Sequence, residues 1–280
     1  MESFKKTDLE ILVSTMNRDN FDFLVSMFPF DHFSNFSILV INQTSPEHIL
    51  VSEYESVRVV NSFEKGLSKS RNLALQNAVG KIALIADDDV VFLNDFDQKI
   101  LDAHHINPEV SLICFRTINS EGNLVRYYPN GNKVLKSNEL IWVLSIEITF
   151  KIDKIRENNI TFNEHFGLGA QFEDAESLYF LRNAHHKSLK ILSSSEPIVI
   201  HHQLSSSDEV TSDRWLYAKS AGNYKLHQNF AYFLVFKNVF FLWRKKYILT
   251  AQIFPKIKIA FNGIRDYKKL ILDKKEIRSN

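Results

Sequence analysis

Lys81-Ile82-Ala83-Leu84-Ile85-Ala86-Asp87-Asp88-Asp89 decides the fold. The apolar run has the length and composition of a buried strand, and it ends in three adjacent carboxylates just where such a strand should surface. Neighbouring anions repel, so a triplet of this kind persists where something positive stands against it, and a divalent cation is the usual partner. Upstream, residues 9–14, 36–41 and 57–60 read as three more strands, and residues 21–28 as a helix stopped before Pro29. Ser68 is placed to N-cap a helix over residues 69–79, with Gly80 ending it in the left-handed C′ conformation. Strands alternating with helices predict right-handed crossovers and an α/β fold with a mostly parallel sheet. Ligands of such sheets collect beyond the carboxyl ends of the strands, where residues 15–18, 42–44, 61–66 and 87–89 converge.

The bulk composition agrees with an enzyme-sized globular chain. Its 280 residues are 45% hydrophobic, enough for a large core. Cys114, the single cysteine, lies in an apolar run and reads as a core residue in a reducing compartment, without a disulfide. Residues 1–6 lack an apolar signal core, and no stretch reaches the roughly 18 apolar residues that span a bilayer. The expected location is cytoplasmic, with peripheral attachment at the inner face of the cell membrane as a further expectation.

That attachment rests on charge asymmetry. Residues 225–280 hold 13 Lys/Arg against three Asp/Glu, whereas residues 1–224 hold 21 against 30. The same tail carries the aromatic blocks 230–236 and 239–243, followed directly by Arg244-Lys245-Lys246. Two readings stand side by side: a helix lying on an anionic membrane surface, or a terminal helix packed on the core with a solvated basic face. No recognition motif accompanies the charge, so no nucleic-acid partner is expected. After residue 110 the strands become shorter, with turns at 119–123 and 129–132. The expected organisation is an α/β domain over residues 1–224 and a basic, aromatic-rich helical extension over 225–280.

The acidic triplet admits three chemistries. A calcium loop of the EF-hand type fails for want of its twelve-residue ligand array. Asp87-x-Asp89 formally matches the nucleophile motif of haloacid-dehalogenase-like phosphatases, but that motif normally ends the first strand and here it ends the fourth. The third reading is a DxD site holding Mn²⁺ or Mg²⁺ against a nucleotide diphosphate. A non-catalytic glycan- or nucleotide-binding protein remains a further class.

Four segments in order carry a resemblance: residues 13–18 (VSTMNR), 66–72 (GLSKSRN), 85–90 (IADDDV) and 163–176 (NEHFGLGAQFEDAE). Over roughly residues 8–210 the chain resembles a family 2 glycosyltransferase with the GT-A fold, of the kind found in bacterial surface-polysaccharide assembly. The resemblance implies a Rossmann-like sheet with flanking helices and a nucleotide-sugar pocket lined by Thr15, Asn17, Arg18, Asn42, Arg71, Asp87 and Asp88. It also implies a metal held by Asp89, with Asp87 and His201 beside it. Chemically, a leaving diphosphate needs its developing charge neutralised, which a divalent ion and an arginine fork can do. Inverting transfer further needs a base for the acceptor hydroxyl. Asp174 matches the family's Glu-Asp motif, with Glu173 and Glu176 as alternatives and helix capping as the competing role. The acceptor is expected to be a glycan or a lipid-linked saccharide. Gly167 and Gly169 would let the backbone pass close to a sugar. His201-His202 closes a short strand, so one of the two points to the site and His201 is chosen. His104-His105 and His185-His186 read as surface residues. One departure stands out: the second strand of the family commonly ends in an acidic residue, whereas here it ends Asn42-Gln43-Thr44, which leaves the preference for uridine open.

Overall fold

The computed structural model describes residues 4–201 and 210–276. Two compact units result, Met1–Asn163 with Ser177–Gln203 and Glu164–Glu176 with Leu204–Asn280. The first unit contains β1 (Leu9–Met16), β2 (Ser37–Gln43), β3 (Val57–Ser62), β4 (Ile82–Asp87), β5 (Val91–Phe92), β6 (Leu112–Ile118), β7 (Lys133–Val134), β8 (Ile148–Lys151) and β9 (Ile191–Ile200). Its helices are α1 (Asp22–Met27), α2 (Leu67–Asn77), α3 (Phe96–Ile106), α4 (Ile152–Glu157) and α5 (Glu176–His186). The strands form one sheet in the order β3-β2-β1-β4-β8-β6-β9-β5, with β7 pairing β9. The first four run parallel, as expected; β8 is antiparallel to β4 and β6 and opens the mixed half.

Alternation of side chains along buried strands divides the core in two. Ile11 and Val13 of β1 feed one cluster with Phe23, Phe28 and Phe96, while Leu12 feeds the other with Leu75, Ile155 and Phe180. Burial on both faces explains why β1 and β4 read as continuous apolar runs. The parallel register aligns the strand ends: Thr15 lies opposite Asn42, Asn42 opposite Asn61, and Ser14 opposite Asp87.

Three local expectations are corrected. Gly66, at φ 126°, caps α2 in place of Ser68, which is buried in the first turn. The Gln43 amide donates to the carbonyls of Glu64 and Gly66, fixing a turn whose positive φ suits glycine. Gly80 is not a left-handed cap; it is needed for close approach, since a Cβ there would lie 2.8 Å from the Cβ of Glu10. Its N–H and that of Val79 both donate to the buried Glu10 carboxylate, whose other oxygen meets Arg58. His104 is fully buried rather than exposed and hydrogen-bonds the Thr149 hydroxyl at 2.9 Å, and burial pushes its pKa down to about 3.

Sequence gave no signal for Glu147. It is buried on the turn before β8 and accepts from Tyr128, Thr117 and the backbone N–H of Leu144. Burial nevertheless pushes its carboxyl up to about 7 from an ordinary 4.5.

The second unit is helical: α6 (Asp213–His227), α7 (Phe230–Arg244) and α8 (Ile253–Leu272). Residue 224, where the composition suggested a boundary, lies inside α6, and the unit draws in residues 164–176 from mid-chain. α6 and α8 cross closely through Ala218, Ala221, Ala260 and Gly263, where a Cβ at Gly263 would meet the Tyr217 carbonyl oxygen at 2.1 Å.

Backbone cannot yield as a side-chain tip does, so Gly263→Ala is expected to lower stability by roughly 1–3 kcal/mol. An unchanged melting temperature would contradict this crossing. The raised pKa of Glu147 means the unfolded chain loses that proton first, so this group's contribution to stability falls as pH climbs from 4.5 to about 7. His104 has the opposite sign, losing stability as pH falls from 6.5 towards about 3. Denaturant titrations of wild type and Glu147→Gln across pH 4–8 therefore isolate the carboxylate: the difference between them is expected to slope through this window and to be flat above it.

Candidate active site

The aligned ends of β1, β2 and β4 bring together most of the residues singled out from the sequence, and each carboxylate of the triplet faces a different basic side chain. Asp87 accepts from Arg71 Nη2 at 2.8 Å. Asp88 accepts from Arg18 Nε at 3.0 Å and Nη2 at 2.6 Å, and from the Thr15 hydroxyl. Asp89 lies 3.8 Å from His201 Nε2, an ion-pair distance. Two arginines thus neutralise Asp87 and Asp88, and the third carboxylate, Asp89, faces an imidazole. Asp88, expected among the residues lining the nucleotide-sugar pocket, organises the β1 loop.

Supporting contacts fix that loop. Asn17 takes a left-handed φ of 52°, with its N–H on the Gln43 carbonyl. The Asn42 side chain accepts from the Arg18 N–H and donates to the Arg18 carbonyl and to Asn61. Both amide hydrogens of Asn42 are committed, so it positions Arg18 rather than offering an edge to a base. Arg71 is only 2% exposed, although it stands on a helix. Its guanidinium lies over the Phe162 ring at 5.6 Å, and the neighbouring Asn72 clamps the Phe162 backbone in both directions. Ser145, which carried no sequence signal, comes within 3.5 Å of Asp87 Oδ2.

His201 reaches Asp89 because β5 and β9 pair antiparallel, with Val91 opposite Ile200, and the next residue falls beside the triplet. His202 lies outside the described residues. The His201 ring holds the Asp89 carboxyl below the usual range, against the effect of burial. Among the described residues, no three His, Cys, Asp or Glu side chains gather closely enough to hold a metal alone. Asp89 and His201 form a two-residue pair with a half-exposed carboxylate, while Asp87 faces Arg71.

Glu173 and Asp174 belong to the helical unit. Gly167 and Gly169 adopt left-handed φ values of 101° and 75°, which lets residues 165–172 fold back on themselves through the Gly167 N–H to Phe172 carbonyl bond. Both Glu173 oxygens are engaged, one by the Gly169 N–H and the other by Arg214 Nη1, each at 3.0 Å. Asp174 contrasts with it: burial raises its pKa and Glu176 adds to the rise, while Lys219 and Arg214 pull it back. A carboxylate acting as a helix cap would be held low, whereas burial holds Asp174 high.

Residues 24–178 match the model of the family described as Glycosyl transferase family 2, more than half of the chain, and the chain belongs to that family. An uncharacterized glycosyltransferase of Haemophilus influenzae is 29% identical over 83 residues, covering 29% of this chain and 28% of that protein. Among solved structures, S. aureus TarS 1-349 superposes with a TM-score of 0.51 at 12% identity, over 95% of this chain and 91% of that one. The same TarS segment in complex with UDP-GlcNAc gives 0.52 at 13% identity, over 95% and 92%. At such identity the likeness is one of fold, and it agrees with the α/β architecture above.

The Asp174 environment is testable without substrate. Lys219→Gln is expected to raise the Asp174 pKa further and Glu176→Gln to lower it, read from the pH titration of its carboxyl carbon by NMR. If neither substitution moves the resonance, the surroundings described for Asp174 are incorrect.

Proposed function

We propose that the chain is an inverting glycosyltransferase that moves a sugar from a nucleoside-diphosphate donor to a hydroxyl of a glycan acceptor in polysaccharide biosynthesis. Family membership supports the reaction class. The observation that carries the reading is the strand-end cluster, in which Arg18 and Arg71 are held by Asp88 and Asp87 at the edge where α/β sheets bind nucleotides. Arg18 turns Nε and Nη2 to Asp88 and keeps Nη1 for a phosphate oxygen. A uridine donor is favoured by the UDP-GlcNAc bound in the TarS complex. The acceptor is a glycan or a lipid-linked saccharide, the second being the natural one if the basic, aromatic tail docks on a membrane. The haloacid-dehalogenase alternative is set aside, since Asp87 ends the fourth strand, is paired with Arg71, and sits in a family 2 chain.

In the proposed reaction the acceptor oxygen attacks the anomeric carbon from the face opposite the diphosphate. Asp174 takes the hydroxyl proton as the new bond forms. The old glycosidic bond breaks, and its electron pair leaves with the diphosphate oxygen, so the anomeric centre inverts. Arg18 and Arg71 stabilise that oxygen's charge. Mn²⁺ or Mg²⁺, held by Asp89 and His201 with Asp87 at its border, would supply further neutralisation of the leaving group. Glu173, tied to Arg214 and Gly169, positions the segment that carries Asp174.

A panel of sugar nucleotides tested with and without Mn²⁺ reads donor and metal together. At least one donor is expected to turn over, and failure with all of them would sink the enzyme reading. Asp174→Asn is expected to lower kcat by about 10²–10⁴-fold with donor affinity retained; full activity in this variant would favour a non-catalytic sugar-binding protein. Asp88→Asn should weaken donor binding by releasing Arg18. Because Asp174 must be deprotonated to act, the acid limb of the rate profile should lie above the ordinary aspartate value of 3.8 and follow the Lys219 and Glu176 substitutions.

A further inference from the structure

The outward face of α7 is not built for water. Ala231, Val235, Val239 and Leu242 recur at helical spacing and are buried within the helical unit. A surface helix should carry charge on its other side, yet α7 exposes Phe230, Phe233, Phe236, Phe240 and Trp243 there. The corner that follows adds Leu249 at 73% exposure and Phe254 at 81%. Between α7 and the start of α8, Phe236, Phe240, Trp243, Ile253 and Ile257 line an open groove of about 540 Å³. Aromatic side chains in a contiguous patch of this kind mark a docking surface.

Charge identifies the partner. Between Asp213 and Asp266 the chain has ten Lys/Arg and no acidic residue. Arg214, Lys225 and Lys256 are paired with Glu173, Glu276 and Asp213. Among the described residues, Arg244, Lys245, Lys246 and Lys258 have no carboxylate at ion-pair distance, and the first three adjoin Trp243 directly. A second copy of this face would set those cations against their own kind, whereas an anionic lipid surface complements them and accepts the rings beneath. Among the described residues, no helix is long and apolar enough to cross a bilayer. The 15 residues of α7 reach only about 22 Å, short of the roughly 30 Å hydrocarbon core.

We propose that this face of the helical unit docks on an anionic membrane surface. α7 lies in the plane of the interface with its phenylalanines and Trp243 at the headgroup boundary, and Arg244, Lys245 and Lys246 meet lipid phosphates. The surface uses none of the residues assigned to sugar transfer, although it deepens the proposed function by giving a lipid-linked acceptor a physical basis. The two can fail separately.

The full-length chain, without donor or acceptor, is mixed with phosphatidylcholine vesicles with or without phosphatidylglycerol and sedimented. Binding is expected on the anionic vesicles only, declining as salt rises, with a blue shift in emission that disappears in Trp243→Phe. Replacing Lys245 and Lys246 by Ser should reduce partitioning roughly fivefold per cation removed. Phe233→Ser with Phe240→Ser should abolish binding while the far-ultraviolet circular dichroism stays unchanged, because both positions are exposed. Equal binding to neutral vesicles, no binding to either kind, or concentration-dependent self-association removed by the same substitutions would each overturn the proposal. Turnover with a soluble acceptor, measured on the same variants, is expected to be unaffected, which separates loss of docking from loss of transfer.

Discussion

The Asp88 carboxylate is the contact on which the strand-end cluster depends. Parallel pairing of β1 with β4 sets Ser14 opposite Asp87, so the next residues of both strands emerge side by side. Asp88 then holds Thr15 and Arg18 at once, and Asn42 secures Arg18 from β2. Hydrogen bonds to a charged group contribute about 1.5–3 kcal/mol when buried, and less here because the Arg18 side chain is partly exposed. Their larger effect is geometric: they orient a guanidinium before any ligand arrives, which lowers the ordering cost of binding an anion.

Three adjacent anions would be an unstable arrangement if they shared one environment. The fold separates them by giving each a different partner: the Arg71 guanidinium under Asp87, the Arg18 guanidinium beside Asp88 and the His201 imidazole near Asp89. The environments of the carboxylates then diverge. Asp89 is held low and stays anionic, fit for a cation. Asp174 is held high by burial, so it gains more by accepting a proton. Divergent carboxylate pKa values of this kind suit the two different roles proposed for Asp89 and Asp174.

Legibility in the sequence followed how local each cause was. Strands β1, β2 and β4 were readable because burial on both faces leaves continuous apolar runs, and the convergence of their ends followed from strand–helix alternation alone. The family was readable because four short segments keep their order. The roles within the cluster were not readable, since Asp88–Arg18 and Asp87–Arg71 bridge 70 and 16 positions. Asn42 looked like a contact for a base and is committed to Arg18 and Asn61. His104 was placed on the surface and Glu147 escaped notice because a buried polar residue leaves no periodic trace; Thr149 in one case, and Tyr128, Thr117 and the Leu144 N–H in the other, make its burial tolerable. Residues 164–176 could not be assigned to the helical unit from a chain position midway between strands of the sheet.

The strand-end cluster is proposed to bind a nucleoside diphosphate together with a divalent ion. Because Asp89 and His201 offer a metal two ligands, and no group of three gathers among the described residues, metal affinity should depend on the nucleotide. Mn²⁺ binding followed by electron paramagnetic resonance, with UDP added or omitted, tests this most directly. Tight Mn²⁺ binding is expected only when UDP is present, and its loss in Asp89→Asn. Equal Mn²⁺ binding without nucleotide, or binding unchanged in that variant, would contradict it.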